Sequence, residues 1–96
     1  MVLELGEIVS DFVCGQYLGY DGVAVLTNRR LVFANNRTFA PEVTSIALAG
    51  ITAVKGWAES NRATLRVSGT TGVQVLGDIA EVDRAQAFAT TLRSIG

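Results

Sequence analysis

Hydrophobic and polar positions alternate in short runs along most of the chain, and Gly, Asn and Asp break the runs. Short β-branched segments with that punctuation predict strands. Residues 7–18 read as a first strand, with apolar side chains at the even positions Ile8, Phe12, Cys14 and Leu18; Ser10 and Gln16 interrupt the alternation, and Gly15 marks a bulge or bend. Gly19-Tyr20-Asp21-Gly22 reads as a tight turn. Val23–Thr27 and Arg30–Asn35 form the next two strands, joined at Asn28-Arg29 either by a two-residue turn or by a four-residue type I connection. Pro41 lies in a loop. Val43–Leu48 and Ile51–Trp57 are strands four and five, Ala58–Arg62 is a polar hairpin loop, and Ala63–Val67 and Val73–Leu76 are strands six and seven around Ser68–Gly72. Leu65, Val67, Val73 and Val75 are expected to face inward, Arg66 and Gln74 outward.

The period then changes. Val82, Ala85, Phe88, Ala89, Leu92 and Ile95 recur at three- and four-residue spacing, the stripe of an amphipathic helix. Asp78 stands at the expected N-cap with Glu81 three residues on, so the helix is predicted over about 79–95. A single apolar stripe after seven strands must lie on the sheet. The predicted fold is mainly β: one domain over residues 1–96, a seven-stranded sandwich or partly open barrel capped by one C-terminal helix.

The first hairpin is apolar on both faces. Leu26 opposes Leu31, with Ala24 and Phe33 on the same side, so alternation sends Val23, Val25, Val32 and Ala34 to the other. A half-exposed antiparallel sheet carries polar residues on its wet face. Something therefore covers this one: the helix, the segment Val2-Leu3, or another protein chain.

Composition narrows the function classes. Ninety-six residues hold one core and no deep substrate cavity as well. With 49% hydrophobic and 18% charged residues the chain is not disordered. A net charge of −1 supplies no global field for nucleic acid. The single cysteine, Cys14, precludes an intrachain disulfide, the N-terminus has no secretory pattern, and no apolar run is long enough to span a membrane; a reducing, cytoplasmic setting is expected. Charge is unevenly spread. Residues 1–28 carry Glu4, Glu7, Asp11 and Asp21 without a base, whereas residues 29–66 carry Arg29, Arg30, Arg37, Lys55, Arg62 and Arg66 against Glu42 and Glu59. The basic middle is expected to pair with the acidic N-terminal segment, and an anion-binding face is the alternative.

The run from Gly22 to Phe33, an apolar strand, the turn Thr27-Asn28-Arg29-Arg30 and a Leu-x-Phe strand, resembles the strand–turn–strand signature of bacterial pleckstrin-homology-like and GRAM-like domains. Leu5-Gly6-Glu7, the segment Ile46 to Val54 and the terminal helix also fit, so the resemblance covers nearly the whole chain. It implies a seven-stranded sandwich or open barrel closed at one end by the helix, and an adaptor or oligomeric role. Lipid-binding relatives grip phosphoinositides with bases around the loop between their first two strands; here Leu18–Gly22 has no base and carries Asp21, so lipid binding of that kind lacks its charged donors.

Catalysis has little to draw on. The chain has no histidine for proton transfer. Cys14 lacks a histidine base and reads as a small strand hydrophobe, and the carboxylates lack metal-ligand spacing. No cofactor, metal or small-molecule substrate is expected. Arg29, Arg30, Arg37 and Lys55 are the candidates for an anionic partner. Trp57 either caps the open end of the barrel or anchors a partner. With Val23, Val25 and Val32 it completes the candidate partner interface of a self-associating protein-interaction module; a peripheral lipid or anionic-surface domain is the alternative.

Overall fold

The computed structural model describes residues 3–70 and 72–95; Val2 and Thr71 lie outside them. Its elements are β1 (Val9–Tyr17), β2 (Tyr20–Thr27), β3 (Arg30–Asn35), β4 (Val43–Ala47), the 3-10 turn Leu48–Gly50, β5 (Ile51–Glu59), β6 (Arg62–Gly69), β7 (Gly72–Ile79) and α1 (Val82–Ile95). All pairings are antiparallel, in the order β4-β3-β2-β1-β7-β6-β5. β4 and β5 are the two edges, and no ladder joins them among the described residues, so the sheet is not closed. It bends over one core all the same: Val13, Tyr17, Leu26, Phe33 and Ile46 pack in the same cluster as Leu65, Val67, Leu76 and Ile79. α1 supplies Ala85, Phe88, Ala89 and Leu92 to that cluster and packs on β5, β6 and β1.

The bend has a local cause at Gly15. β1 and β7 share only the pairs Gln16–Gly77 and Tyr17–Leu76. A Cβ at Gly15 would lie 2.4 Å from the Gly77 carbonyl oxygen and 2.9 Å from Ile79 Cγ1, so the absent side chain lets Ile79 lie across β1. A polar tie spans the interior from β4 to β7. Tyr17 Oη donates to Gln74 Oε1 at 2.6 Å and, having one proton, accepts from the Thr44 hydroxyl at 2.8 Å.

Several expectations are corrected. The first turn is Leu18-Gly19, with φ of 54° and 85°, and β2 begins at Tyr20. Gly22 is a strand residue opposite Gly15, where a Cβ would meet the Ala34 carbonyl oxygen at 2.7 Å. β1 buries its odd positions Val13 and Tyr17; Ile8, Phe12, Cys14 and Leu18 are exposed. β7 likewise turns Leu76 inward and leaves Val73 and Val75 exposed, because Gln74 serves the Tyr17 hydroxyl. The helix starts at Val82. Asp78 belongs to β7, since the strand continues until Ile79 is buried, and the first helical bond runs from Ala85 N to Glu81 O. Ile95 is exposed.

Candidate functional site

The turn between β2 and β3 and the segment before β1 are held together by one carboxylate. Neither Asn28 nor Arg29 has positive φ, so the connection is of the four-residue kind. The Thr27 hydroxyl oxygen accepts from Arg29 N (3.1 Å) and Arg30 N (3.0 Å), which closes the turn, and its proton goes to Glu7 Oε2 at 2.7 Å. Arg30 grips the same carboxylate in bidentate fashion, Nε to Oε2 at 2.8 Å and Nη2 to Oε1 at 2.9 Å. Glu4 N adds a 3.0 Å bond, and Asn28 brackets the segment, its Oδ1 accepting from Ile8 N and its Nδ2 donating to Gly6 O. The Glu7 side chain is fully buried. The hydrogen bonds of Arg30 and Thr27 outweigh the cost of burial and hold its pKa at about 2, against an ordinary 4.5; Glu7 in turn raises that of Arg30.

This accounts for the arginines. Arg30 is paired with Glu7, Arg29 with Glu4 at 3.3 Å, and Arg37 with Glu42 at 2.9 Å. Arg37 stands in the β3–β4 loop, which Asn35 shapes by accepting from Arg37 N and Glu42 N. Lys55 lies on β5, at the opposite edge of the sheet. The four anion-binding candidates are therefore not brought into one site, and Lys55 alone of them makes no ion pair among the described residues.

The partner-interface candidates on the first hairpin do share a face. Two cross-strand rows run over the outer surface, Phe12–Val25–Val32–Ser45 and Cys14–Val23–Ala34–Val43. Ser45 is the only hydroxyl or charged side chain among the eight. Val43 is 54% exposed and Phe12 44%, Val23 and Val25 are half-buried, and Val32 is 1% exposed in the single chain. Val32 is thus the enclosed centre of the patch and not one of its contact points. Arg30, next along β3 on the same side, reaches Ser45 Oγ with Nη1 at 3.3 Å and closes one end. The helix reaches this face only at its margin, where the Arg84 guanidinium lies 4.8 Å from the centre of the Phe12 ring. At one end of the second row, Cys14, Val23 and Ala34 join Gly15 and Gly22 to floor an open depression of about 580 Å³ rimmed by Asp21, Asn36 and Asp78.

Trp57 is elsewhere. It is 47% exposed on β5 and outside the core, so it does not cap the barrel as a buried side chain. It borders a cleft of about 350 Å³ between β5 and α1, with Gly56, Gln86, Thr90 and Arg93. Among the described residues no three His, Cys, Asp or Glu side chains cluster as a metal site, and no helix is long and apolar enough to cross a membrane. The arginines of the turn do pair with the acidic N-terminal segment, as the uneven charge predicts. Sequence reasoning did not single out Glu7 as the residue on which the bonds converge.

No family model matches the chain, and neither does any curated protein. Among solved structures it is similar to the C-terminal domain of an unknown protein from Leishmania infantum, with a TM-score of 0.70 and 18% identity over 95% of this chain and 86% of that one. That likeness shows the fold and nothing more.

Proposed function

We propose that the chain is a non-catalytic pleckstrin-homology-like interaction module that associates with further copies of itself through the outer face of β1–β4. The observation that carries this reading is the pair of apolar rows led by Phe12, Val23, Val25 and Val43, on a sheet face where a solvated domain places polar side chains. One self-complementary patch can serve both partners across a two-fold axis. Full burial of an aliphatic or aromatic side chain is worth about 1.5–3 kcal/mol; Val23 and Val25, already half-buried, have less left to gain than Phe12 and Val43. Association also costs translational and rotational freedom, so area alone does not fix affinity. A reducing, cytoplasmic setting fits the free, exposed Cys14.

The alternative, a peripheral lipid or anionic-surface domain, has less support. Its donors are Arg29, Arg30, Arg37 and Lys55, of which three already hold carboxylates and the fourth is at the far edge.

Light scattering tests the proposal. A particle larger than one chain is expected at micromolar concentration, largely insensitive to moderate salt. Val25→Arg should lower its mass while circular dichroism keeps the strand signal. A monomeric wild type, or an unchanged mass for Val25→Arg, refutes the assignment; outright unfolding of the variant would place Val25 in the core.

A further inference from the structure

The two edges of the sheet are unlike. β4 has five residues and follows Pro41, a short edge of the protected kind. β5 has nine residues and no proline, and β6 is its only ladder partner among the described residues. Its hairpin to β6 turns at Ser60-Asn61, with φ of 50° and 62°, the two left-handed residues of a type I′ turn. Such a turn makes Glu59–Arg62 a hydrogen-bonded pair, and alternation back along the register gives Trp57–Thr64 and Lys55–Arg66 as the next two. The backbone groups of Val54, Gly56 and Ala58 then point to the free edge. Arg93 Nε, 3.1 Å from the Val54 carbonyl oxygen, takes one of them. Gly56 and Ala58 have no backbone partner on that edge among the described residues.

The side chains along that edge are self-complementary. A Cβ at Gly56 would touch Ala89 of α1 at 3.5 Å, and Val54 packs on the core, so Lys55, Trp57 and Glu59 alternate onto the other face, Trp57 also standing at the rim of the cleft between β5 and α1. Lys55 stands directly opposite Arg66, a like-charge pair that lacks an acid. Glu59 stands opposite Arg62, but Arg62 is paired with Asp78 at 3.6 Å. Neither Lys55 nor Glu59 makes an ion pair among the described residues.

We propose that β5 is a second self-association site, pairing antiparallel with β5 of another copy about a two-fold axis at Trp57. In that register Gly56 exchanges backbone bonds with Ala58 of the other copy, on both sides of the axis. Glu59 of each chain lies opposite Lys55 of the other and supplies the acid that the Lys55–Arg66 pair lacks. The two exposed indoles meet at the axis as a non-hydrogen-bonded pair, where cross-strand side chains are closest. The site rests on the reading that the domain self-associates, but on a different surface from the β1–β4 face. The two sites together build a particle of more than two copies.

The test uses the Val25→Arg chain, in which the β5 pair is the contact that remains. A dimer is expected by light scattering. Adding Lys55→Glu, or separately Glu59→Lys, sets like charges opposite each other twice and should weaken the dimer about tenfold or more. An equimolar mixture of the two should restore it, because every 55–59 contact across the mixed pair is then opposite in charge. Trp57→Cys combined with Cys14→Ser should form an intermolecular disulfide on mild oxidation, since non-hydrogen-bonded partners sit at about 4.5 Å between Cα atoms, within disulfide range. A Val25→Arg chain that is already a monomer overturns the β5 site and leaves the β1–β4 reading standing. An unchanged mass on Val25→Arg, with loss of the particle on Lys55→Glu, does the reverse. Failure of the mixture to exceed its components refutes the register.

Discussion

Gly15 and Gly77 offer a matched pair of substitutions in one small region of the sheet. A Cβ at Gly15 would come within 2.4 Å of the Gly77 carbonyl oxygen, 2.9 Å of Ile79 Cγ1 and 3.2 Å of Leu76 Cγ, whereas a Cβ at Gly77 meets nothing within 4 Å. The nearest obstacle at Gly15 is backbone, and Ile79 and Leu76 are both fully buried, so relief requires β1 and β7 to separate where only two residue pairs join them. Overpacking of that kind costs about 1–3 kcal/mol. Replacing glycine by alanine without strain has the opposite sign, about 0.4–1 kcal/mol of stabilisation through the unfolded chain. Gly15→Ala should therefore lower the urea midpoint, and Gly77→Ala should leave it unchanged or raise it. For a domain of this size each 1 kcal/mol corresponds to roughly 4–8 °C in Tm. The denaturant slope should stay the same in both variants, because the surface exposed on unfolding does not change. Equal midpoints for the two variants would refute the assignment of the bend to Gly15.

Two further outcomes follow from the Glu7 node. The pKa of Glu7 is lower in the folded chain, about 2 against 4.5, so its contribution is complete above about pH 4.5 and is lost as pH falls toward 2; urea midpoints across that window should fall steeply for the wild type and less so for Glu7→Gln. Vesicles containing phosphoinositides should bind the domain weakly or not at all at physiological salt, because Arg29, Arg30 and Arg37 already hold carboxylates and Leu18-Gly19 carries no base; saturable, headgroup-selective cosedimentation would reverse the ranking of the two readings.

What the sequence revealed depended on how one-sided each segment's pattern is. β3 was bounded at Arg30 and Asn35 because a polar turn and an asparagine pair flank an unbroken apolar run. The faces of β2 and β3 followed from the turn, which fixes the register between Leu26 and Leu31. β1 was read on the wrong face because its even positions are as apolar as its odd ones. What decides is the three-dimensional fit of Val13 and Tyr17 around Gly15, which no alternation rule contains. Val73 and Val75 look like core residues by hydropathy, yet Gln74 faces inward to accept from the Tyr17 hydroxyl, and alternation then turns both valines outward. Asp78 has the chemistry of a helix cap, but burying Ile79 keeps its backbone in the strand.

The segment before β1 and the β2–β3 turn, far apart in the chain, meet in space. Gly6 and Glu7 precede β1, Thr27 to Arg30 close the β2–β3 turn, and the two segments are joined by three hydrogen bonds onto one carboxylate and two more through the Asn28 side chain. An adjacent arginine pair in a hairpin invites a ligand-binding reading, since both are strong anion donors. Here each guanidinium already has its anion, twenty-three and twenty-five residues away in the chain. Arg30 also reaches Ser45, so the same side chain fixes the N-terminal segment, the turn and β4. A node built in this way holds the fold together, and the groups left unsatisfied lie on other surfaces. Those are the apolar rows on β1–β4, where Phe12 and Val43 stay exposed, and the β5 edge, where Gly56 and Ala58 lack backbone partners and Lys55 and Glu59 lack counter-ions among the described residues. Under the self-association proposed above, another copy of the same chain would meet both deficits.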